Sequence, residues 1–480
     1  MKKHHFVKGK SLIMLSLLCA GVSMLWSCAE DGYDDETFRS TVTNSTLTSP
    51  AADGIVITPS ADGKTQTISW KVVDGAGGYL VSLYDQGNME EALVKDSVID
   101  GCSMAVSREE DMNYLLRIQT LGNTRYNNAE ASEVTEKPFS TFTPTYQTIP
   151  AGTDLAEYFK SHALPADSIG KNLNFDLEGG AEYTVSDVVD FDANTVTLRS
   201  TSKVNHAKIR YTGDKASLNF SAGFSVKYID FDCAGSSAGV FAFSKESTVA
   251  PDETGFVLIK EPVSILNCNF DNVNKYFFWD QQSKTAVITF LVDNCVVRLT
   301  PPEAISGGVF WTNKAGHIND LTITNSTFYE SPDNPGDIKY FYQAGMYRAK
   351  DINLETNSVT YDHCTFYHVT WDNGQWGNYN GMQSKATSYW NLTNCIFYDC
   401  SPSGVARRFL HGRTGQPGTI MNNTYMRADG TFDDPGNYDT SGTDIKEDPQ
   451  FKNPSAGDFT ISGATQVSLK TGDPRWLPQQ

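Results

Sequence analysis

Short apolar or aromatic stretches are followed by one basic residue six times between residues 240 and 413: in 240–245, 277–284, 309–314, 346–350, 381–385 and 409–413. Four of the six share one spacing, in the pairs Trp311/Lys314, Tyr347/Lys350, Met382/Lys385 and Leu410/Arg413. Any one of these cations is explained as a solvated turn residue. Stacked on successive structural units, they would instead form a ladder of like charge, which costs stability unless an anion is held there. Lys314, Lys350, Lys385 and Arg413 are therefore candidate contacts to a polyanion. Trp371, Trp376 and Tyr379 lie in the same part of the chain, with Arg407 and Arg408 close by. Aromatic faces stack on sugar rings, and a guanidinium grips a carboxylate through two hydrogen bonds. Together these residue types suit a linear anionic polysaccharide.

The signals for catalysis are thinner. Proton abstraction beside a uronate carboxylate needs a base and, commonly, carboxylates that hold Ca2+ against the substrate. Arg407, Arg408 and His411 are candidate bases, and Asp362, Asp372 and Asp399 candidate Ca2+ ligands, but the three acids are scattered. Hydrolysis needs two carboxylates brought together on neighbouring units. The only adjacent Asp-Asp pair in the later coils, Asp433-Asp434, precedes Pro435 in a turn. Binding is thus favoured over catalysis, and no cofactor is implied unless the reaction is an elimination.

These residues must be positioned by strands. One element recurs: 264–270 (Ser-Ile-Leu-Asn-Cys-Asn-Phe), 291–297, 321–328, 359–366, 390–397 and 419–425, with a degenerate copy at 225–231. Its final aromatic or apolar positions are 27 to 39 residues apart, the mark of a solenoid whose coils carry insertions. The expected fold is all-β, with a right-handed parallel β-helix over 153–480. Ile229, Cys268, Cys295, Ser326, Cys364, Cys395 and Asn423 would stack as an inward ladder of small side chains. Phe231, Phe270, Val297, Phe328, Phe366, Phe397 and Tyr425 would form an apolar ladder beside it. Cysteine serves there as a small hydrophobe, not as a ligand, nucleophile or disulfide partner. The stretches 329–345, 367–381 and 398–408 all follow this strand, so they should project from one side and wall a groove.

Ahead of the solenoid, Asp154 to His162 reads as one amphipathic helix capping the first coil, after a Pro-containing linker at 139–152. Residues 49–138 alternate with period two between Gly- and Asp-rich turns, as in a small antiparallel sandwich with Trp70 and Tyr79 in its core. Residues 28–48 form an acidic, Ser/Thr-rich tether. Residues 1–27 carry four lysines, no acid and an apolar run too short to span a bilayer: a signal peptide. The run ends at Cys28, the expected site of lipid attachment. With a formal charge of −19, the chain is not expected to bind nucleic acid.

The order of Trp and Tyr strands in 49–138 resembles a fibronectin type III module. The Leu-Trp-Ser-Cys28 ending and the acids after it resemble the export signal of Bacteroidetes surface lipoproteins. With the Asn-Cys-x-Phe coils and the closing Asp448-Pro-Gln-Phe451, Gly457-Asp-Phe459 and Gly472-Asp-Pro-Arg-Trp476, the chain resembles the pectate-lyase-like lipoproteins of that group. These carry domains of uncharacterised function and accompany glycan-uptake systems. The resemblance implies an outer-membrane, cell-surface protein that binds pectin or another uronate-containing glycan, with glycan-uptake transporter components as possible partners. A pectate-lyase-type enzyme is the alternative, and a structural or adhesin β-helix without a glycan site the second alternative. No Arg-x-Pro-x-x-Arg element of the pectate-lyase type is present.

Overall fold

The computed structural model describes residues 41–60, 65–312, 315–372, 374–379, 382, 386–410, 418–433 and 438–478. The expected signal peptide, Cys28 and most of the expected tether lie outside the described residues, as do Lys314, Lys385, His411, Arg413 and Asp434. The chain divides into two compact units, 1–143 and 144–480.

The first unit contains a three-stranded and a four-stranded antiparallel sheet. Strict alternation in Asn113–Thr120 buries Tyr114, Leu116 and Ile118 against Ile68, Trp70, Tyr79 and Val81. Trp70 and Tyr79 meet edge to face at 5.4 Å, and the Tyr79 hydroxyl accepts from the Val73 amide. Both rings are core, as their place in the alternation requires.

The second unit is a parallel β-helix. Each coil runs through a first, a second and a third sheet, which contain 11, 9 and 7 strands among the described residues. All pairings within these sheets are parallel, and the register carries Phe231 onto Phe270, Val297, Phe328, Phe366, Phe397 and Tyr425. Phe231 and Phe270 stack at 4.7 Å, and Phe366 and Phe397 at 5.0 Å. Such offset stacks add to the gain from burying the rings. Cys268, Cys295, Ser326, Cys364, Cys395 and Asn423 are all fully buried, and burial pushes the thiols of Cys268, Cys295 and Cys364 up. The polar steps fit because each finds backbone: Ser326 Oγ accepts from the Cys295 amide, and Asn423 Oδ1 from the Cys395 amide.

The residue before each ladder position explains the asparagines of the motif. Tyr228, Asn267, Asn294, Asn325, His363, Asn394 and Asn422 all have φ between 48° and 57°. The corner between the first and second sheets needs a left-handed residue, and Asn tolerates that conformation better than other non-glycine residues. The side chains then hydrogen-bond along the axis, as from Asn294 to Asn267 and from Asn422 to Asn394.

The strand Gln147–Ile149 already pairs with Asn172–Leu177, so the solenoid begins inside the stretch 139–152 read from sequence as linker. The helix Leu155–Ser161 is capped by Asp154, which accepts from the Glu157 amide. It buries Leu155, Ala156 and Tyr158 against the terminal strands of the second and third sheets. Phe159 packs edge-on to Phe175 and Phe191. At the other end the chain turns back. Gly472 N–H donates to Asn394 O, the Asp473 amide to Thr365 Oγ1, Thr327 Oγ1 to Asp473 Oδ2, and Arg475 Nη2 to Asn294 Oδ1. The closing Gly-Asp-Pro-Arg-Trp segment is therefore a clasp across four successive coils. Gly472 has φ +84°, and a Cβ there would meet Ile396 at 2.8 Å.

Candidate functional site

The stretches 329–345 and 367–381 are not plain insertions. Each contains a strand of the third sheet, Ile338–Gln343 and Gln375–Asn378, and 398–408 leads into the helix Val405–Leu410, which packs against the latter. Trp376 and Tyr379 therefore point into the coil. Both are fully buried, with Trp376 stacked on Phe341 at 4.5 Å and Tyr379 edge-on to Trp390. They are core, not stacking platforms for a ligand. The remaining turns, 331–337 and 368–372, do lie on one side and wall a cleft.

That cleft encloses about 480 Å³. Ile305, Ser306, Lys339 and Gln375, from three successive coils of the third sheet, line it together with Pro335, Gly336, Asp337, Trp371 and Asp372 from the turns. Trp371 is half-buried and stacks on His368 at 4.6 Å; His368 Nδ1 in turn lies 2.7 Å from Asp399 Oδ2. Asp399 thus orients a histidine, and that imidazole holds its carboxyl below the usual range against the effect of burial. Lys339 reaches over the Tyr340 ring at 5.3 Å, as Lys275 does over Tyr276 two coils earlier. Beside the cleft on the same sheet, Trp279 and Trp311 stack at 6.1 Å, with Tyr276 against both. The two tryptophans remain half-exposed.

Two acids of this region are unusual. Asp337 is 6% exposed; its Oδ2 accepts from the Asp372 amide at 2.9 Å and its Oδ1 has no partner. Burial, reinforced by the Asp372 charge, pushes its carboxyl up to about 7, against the pull of backbone amides. Glu330 is fully buried, and neither of its carboxyl oxygens has a hydrogen-bond partner. Burial and the neighbouring Asp337 push it well up, while Asn334 and Trp371 pull weakly the other way. A buried carboxyl without a cation takes its neutral form.

The basic ladder does not assemble from its described members. Lys245 follows the strand Gly239–Phe243 by two residues, Lys284 immediately precedes the next first-sheet strand, and Lys350 lies exposed on the short helix Ala349–Ile352. Tyr347 and Lys350 lie off the third sheet, because its strand in that coil is Ile338–Gln343, several residues earlier. The register instead pairs Phe278 with Phe310 and Tyr342. A repeated Lys-Tyr-Phe-aromatic sequence, at 275–278 and 339–342, was the readable signal for it. Arg407 is exposed on the helix Val405–Leu410, and Arg408 donates from Nε to Ser403 Oγ. Asp362 pairs with His363 and accepts from Thr393 and Asn394 at the opposite corner of the coil, Asp372 lines the cleft, and Asp399 holds His368. Asp433 takes the Arg427 guanidinium at 2.6 Å. The three candidate Ca2+ ligands do not meet, and no group of three or more metal-ligating side chains is placed to hold an ion among the described residues. No step can be routed through Ca2+ on this geometry.

Fold and site define a parallel β-helix protein with a cleft on the outer face of its third sheet. Three family models match, each described as a domain of unknown function: DUF4992 over residues 1–182, DUF4957 over 181–331 and DUF5123 over 359–476. The first spans both units and the other two divide one solenoid, so these boundaries do not follow the division at Thr143. No curated protein matches. Among solved structures, the chain is similar to a pectate lyase from Erwinia chrysanthemi in complex with tetragalacturonic acid, at 11% identity and a TM-score of 0.14. That match covers 67% of this chain and 84% of the other.

Proposed function

We propose that the protein is a surface lipoprotein that binds a polysaccharide in the cleft over its third sheet, with Cys28 as the lipid-bearing residue at the outer membrane. The observation that supports this reading most is that Ser306, Lys339 and Gln375, from three successive coils, line one cleft walled by Trp371, with Gln375 one register position beyond Lys339. Coils repeat at roughly 4.8 Å, so sites spaced along the axis suit a polymer better than a compact ligand. Lys339 supplies a cation for a uronate carboxylate, Ser306 and Gln375 supply hydroxyl partners, and Trp371 supplies an aromatic surface. The cleft also holds acids, so the ligand carries its charge sparsely or presents it to Lys339 alone. A pectin-like chain fits, and uptake machinery on the same membrane is the partner class.

Affinity gels containing polygalacturonate, arabinan, galactan or xylan test the reading. Trp371→Ala should lose about tenfold or more in affinity for whichever glycan retards the parent. Lys339→Gln should weaken polygalacturonate alone and reduce its salt dependence. Retardation by no glycan, or retardation untouched by both changes, removes the cleft from consideration.

A further inference from the structure

We propose that Asp337 and Asp372 are the acid and the base of a glycosidic-bond hydrolysis in this cleft, an inference that rests on the glycan-binding reading of the same site. Two carboxyls on neighbouring units are what hydrolysis needs, and no adjacent pair in the sequence supplied them. The solenoid supplies them from positions 35 apart: Asp337 ends the turn before Ile338–Gln343, and Asp372 lies in the turn before Gln375–Asn378, the next coil. Both line the cleft, and the Asp372 amide donates to Asp337 Oδ2 at 2.9 Å.

Their surroundings are opposed. Asp337 is more than nine-tenths buried, with Oδ1 unpartnered, whereas Asp372 is exposed. Pairs of carboxyls in such unlike environments divide into a proton donor and a proton acceptor. The groups around Asp337 favour the donor role. Glu330, from the strand Thr327–Glu330, is a buried acid beside it; Trp371 and Asp372 face it from the equivalent turn of the next coil. Lys339 lines the cleft from the following strand, and the His368–Asp399 pair lies beyond Trp371. Burial holds the Asp337 proton up to about pH 7.

In the step, the Asp337 carboxyl gives its proton to the bridging oxygen as the C1–O bond breaks. Asp372 takes a proton from a water whose oxygen bonds to C1. One water is consumed, one reducing end is released, and both carboxyls return to their starting states through solvent. Nothing is oxidised or reduced. The substrate class is a linear glycan containing uronate, whose carboxylate meets Lys339.

The full chain is incubated with polygalacturonate, arabinan, galactan and xylan. Reducing ends and the ultraviolet absorbance of unsaturated uronate are followed between pH 5 and pH 9. The expected result is release of reducing ends without unsaturated product, at a rate falling as pH rises through about 7. Asp337→Asn and Asp372→Asn should each lose about 100-fold or more in rate, and Asp337→Glu should restore part of the rate. A parent that is retarded but releases no ends overturns the hydrolysis and leaves binding intact. Unsaturated product overturns it in favour of elimination. Neither retardation nor cleavage on any glycan overturns both readings.

Discussion

Replacing Asp337 by Asn should change how the stability of the β-helix depends on pH. The Asp337 carboxyl is held up from 3.8 to about 7, chiefly by burial. For a raised carboxyl the stabilising contribution is complete below the unfolded value, near pH 4, and is lost as pH rises through 7. At about 1.4 kcal/mol per unit, the whole loss is roughly 4 kcal/mol. About 1–2 kcal/mol of it is already spent at pH 5, where the unfolded carboxyl is ionised, so roughly 2–3 kcal/mol remains between pH 5 and pH 8. Asn cannot ionise. Its amide costs about 1–3 kcal/mol if left unpartnered, but that penalty does not vary with pH. Urea denaturation of parent and variant, followed by tryptophan fluorescence at pH 5 and pH 8, isolates the slope. The variant should gain about 2–3 kcal/mol on the parent between the two pH values. A difference that stays constant would refute the argument, because it would mean that Asp337 is ionised throughout.

Three further outcomes follow from the packing. Native protein should leave Cys268, Cys295, Cys364 and Cys395 unlabelled by a thiol reagent on the timescale that labels the unfolded chain, and Cys364→Asp should cost several kcal/mol by burying an unpaired charge; rapid labelling of two or more would contradict the ladder. Removing residues 1–165 deletes the helix Leu155–Ser161 and should yield aggregates through the bared first coil, whereas removing residues 1–140 should leave a soluble β-helix, as read by light scattering. Gly472→Ala combines a φ of +84° with contacts at 2.8 Å to Ile396 and 2.9 Å to Ile461, so it should destabilise the β-helix by about 2–3 kcal/mol, read in calorimetry as a lower thermal midpoint.

The solenoid was legible in the chain because its second-sheet strand repeats a local pattern. A left-handed Asn, a small inward residue and an aromatic two places on are set by corner geometry and stacking, and both act within a few residues. The third sheet was not legible in the same way. Its strands sit at different distances from the second-sheet strand, since the turns at 331–337 and 368–372 differ in content, and an alignment by trailing lysines slipped at Lys350. In the next coil the stretch 367–381 reads as an insertion, although its strand Gln375–Asn378 places Trp376 and Tyr379 inside. Of the candidate site, Trp371 and Asp372 were readable from residue type. Asp337, Glu330 and Lys339 were not, because what distinguishes them is burial and partnership across coils, and no spacing in one chain encodes that.

The clasp alters what kind of object the solenoid is. A stack of coils bonded only to its neighbours can shed its last coil without disturbing the rest. Here the closing residues touch the coils at Asn394, Thr365, Thr327 and Asn294, so the last coil cannot leave until contacts up to four coils deeper have opened. Fraying from the C-terminal edge thereby becomes an all-or-none event over the segment that carries the cleft. A protease meets no progressively loosening edge there, and loss of the residues from Gly472 to Trp476 unlatches the cleft.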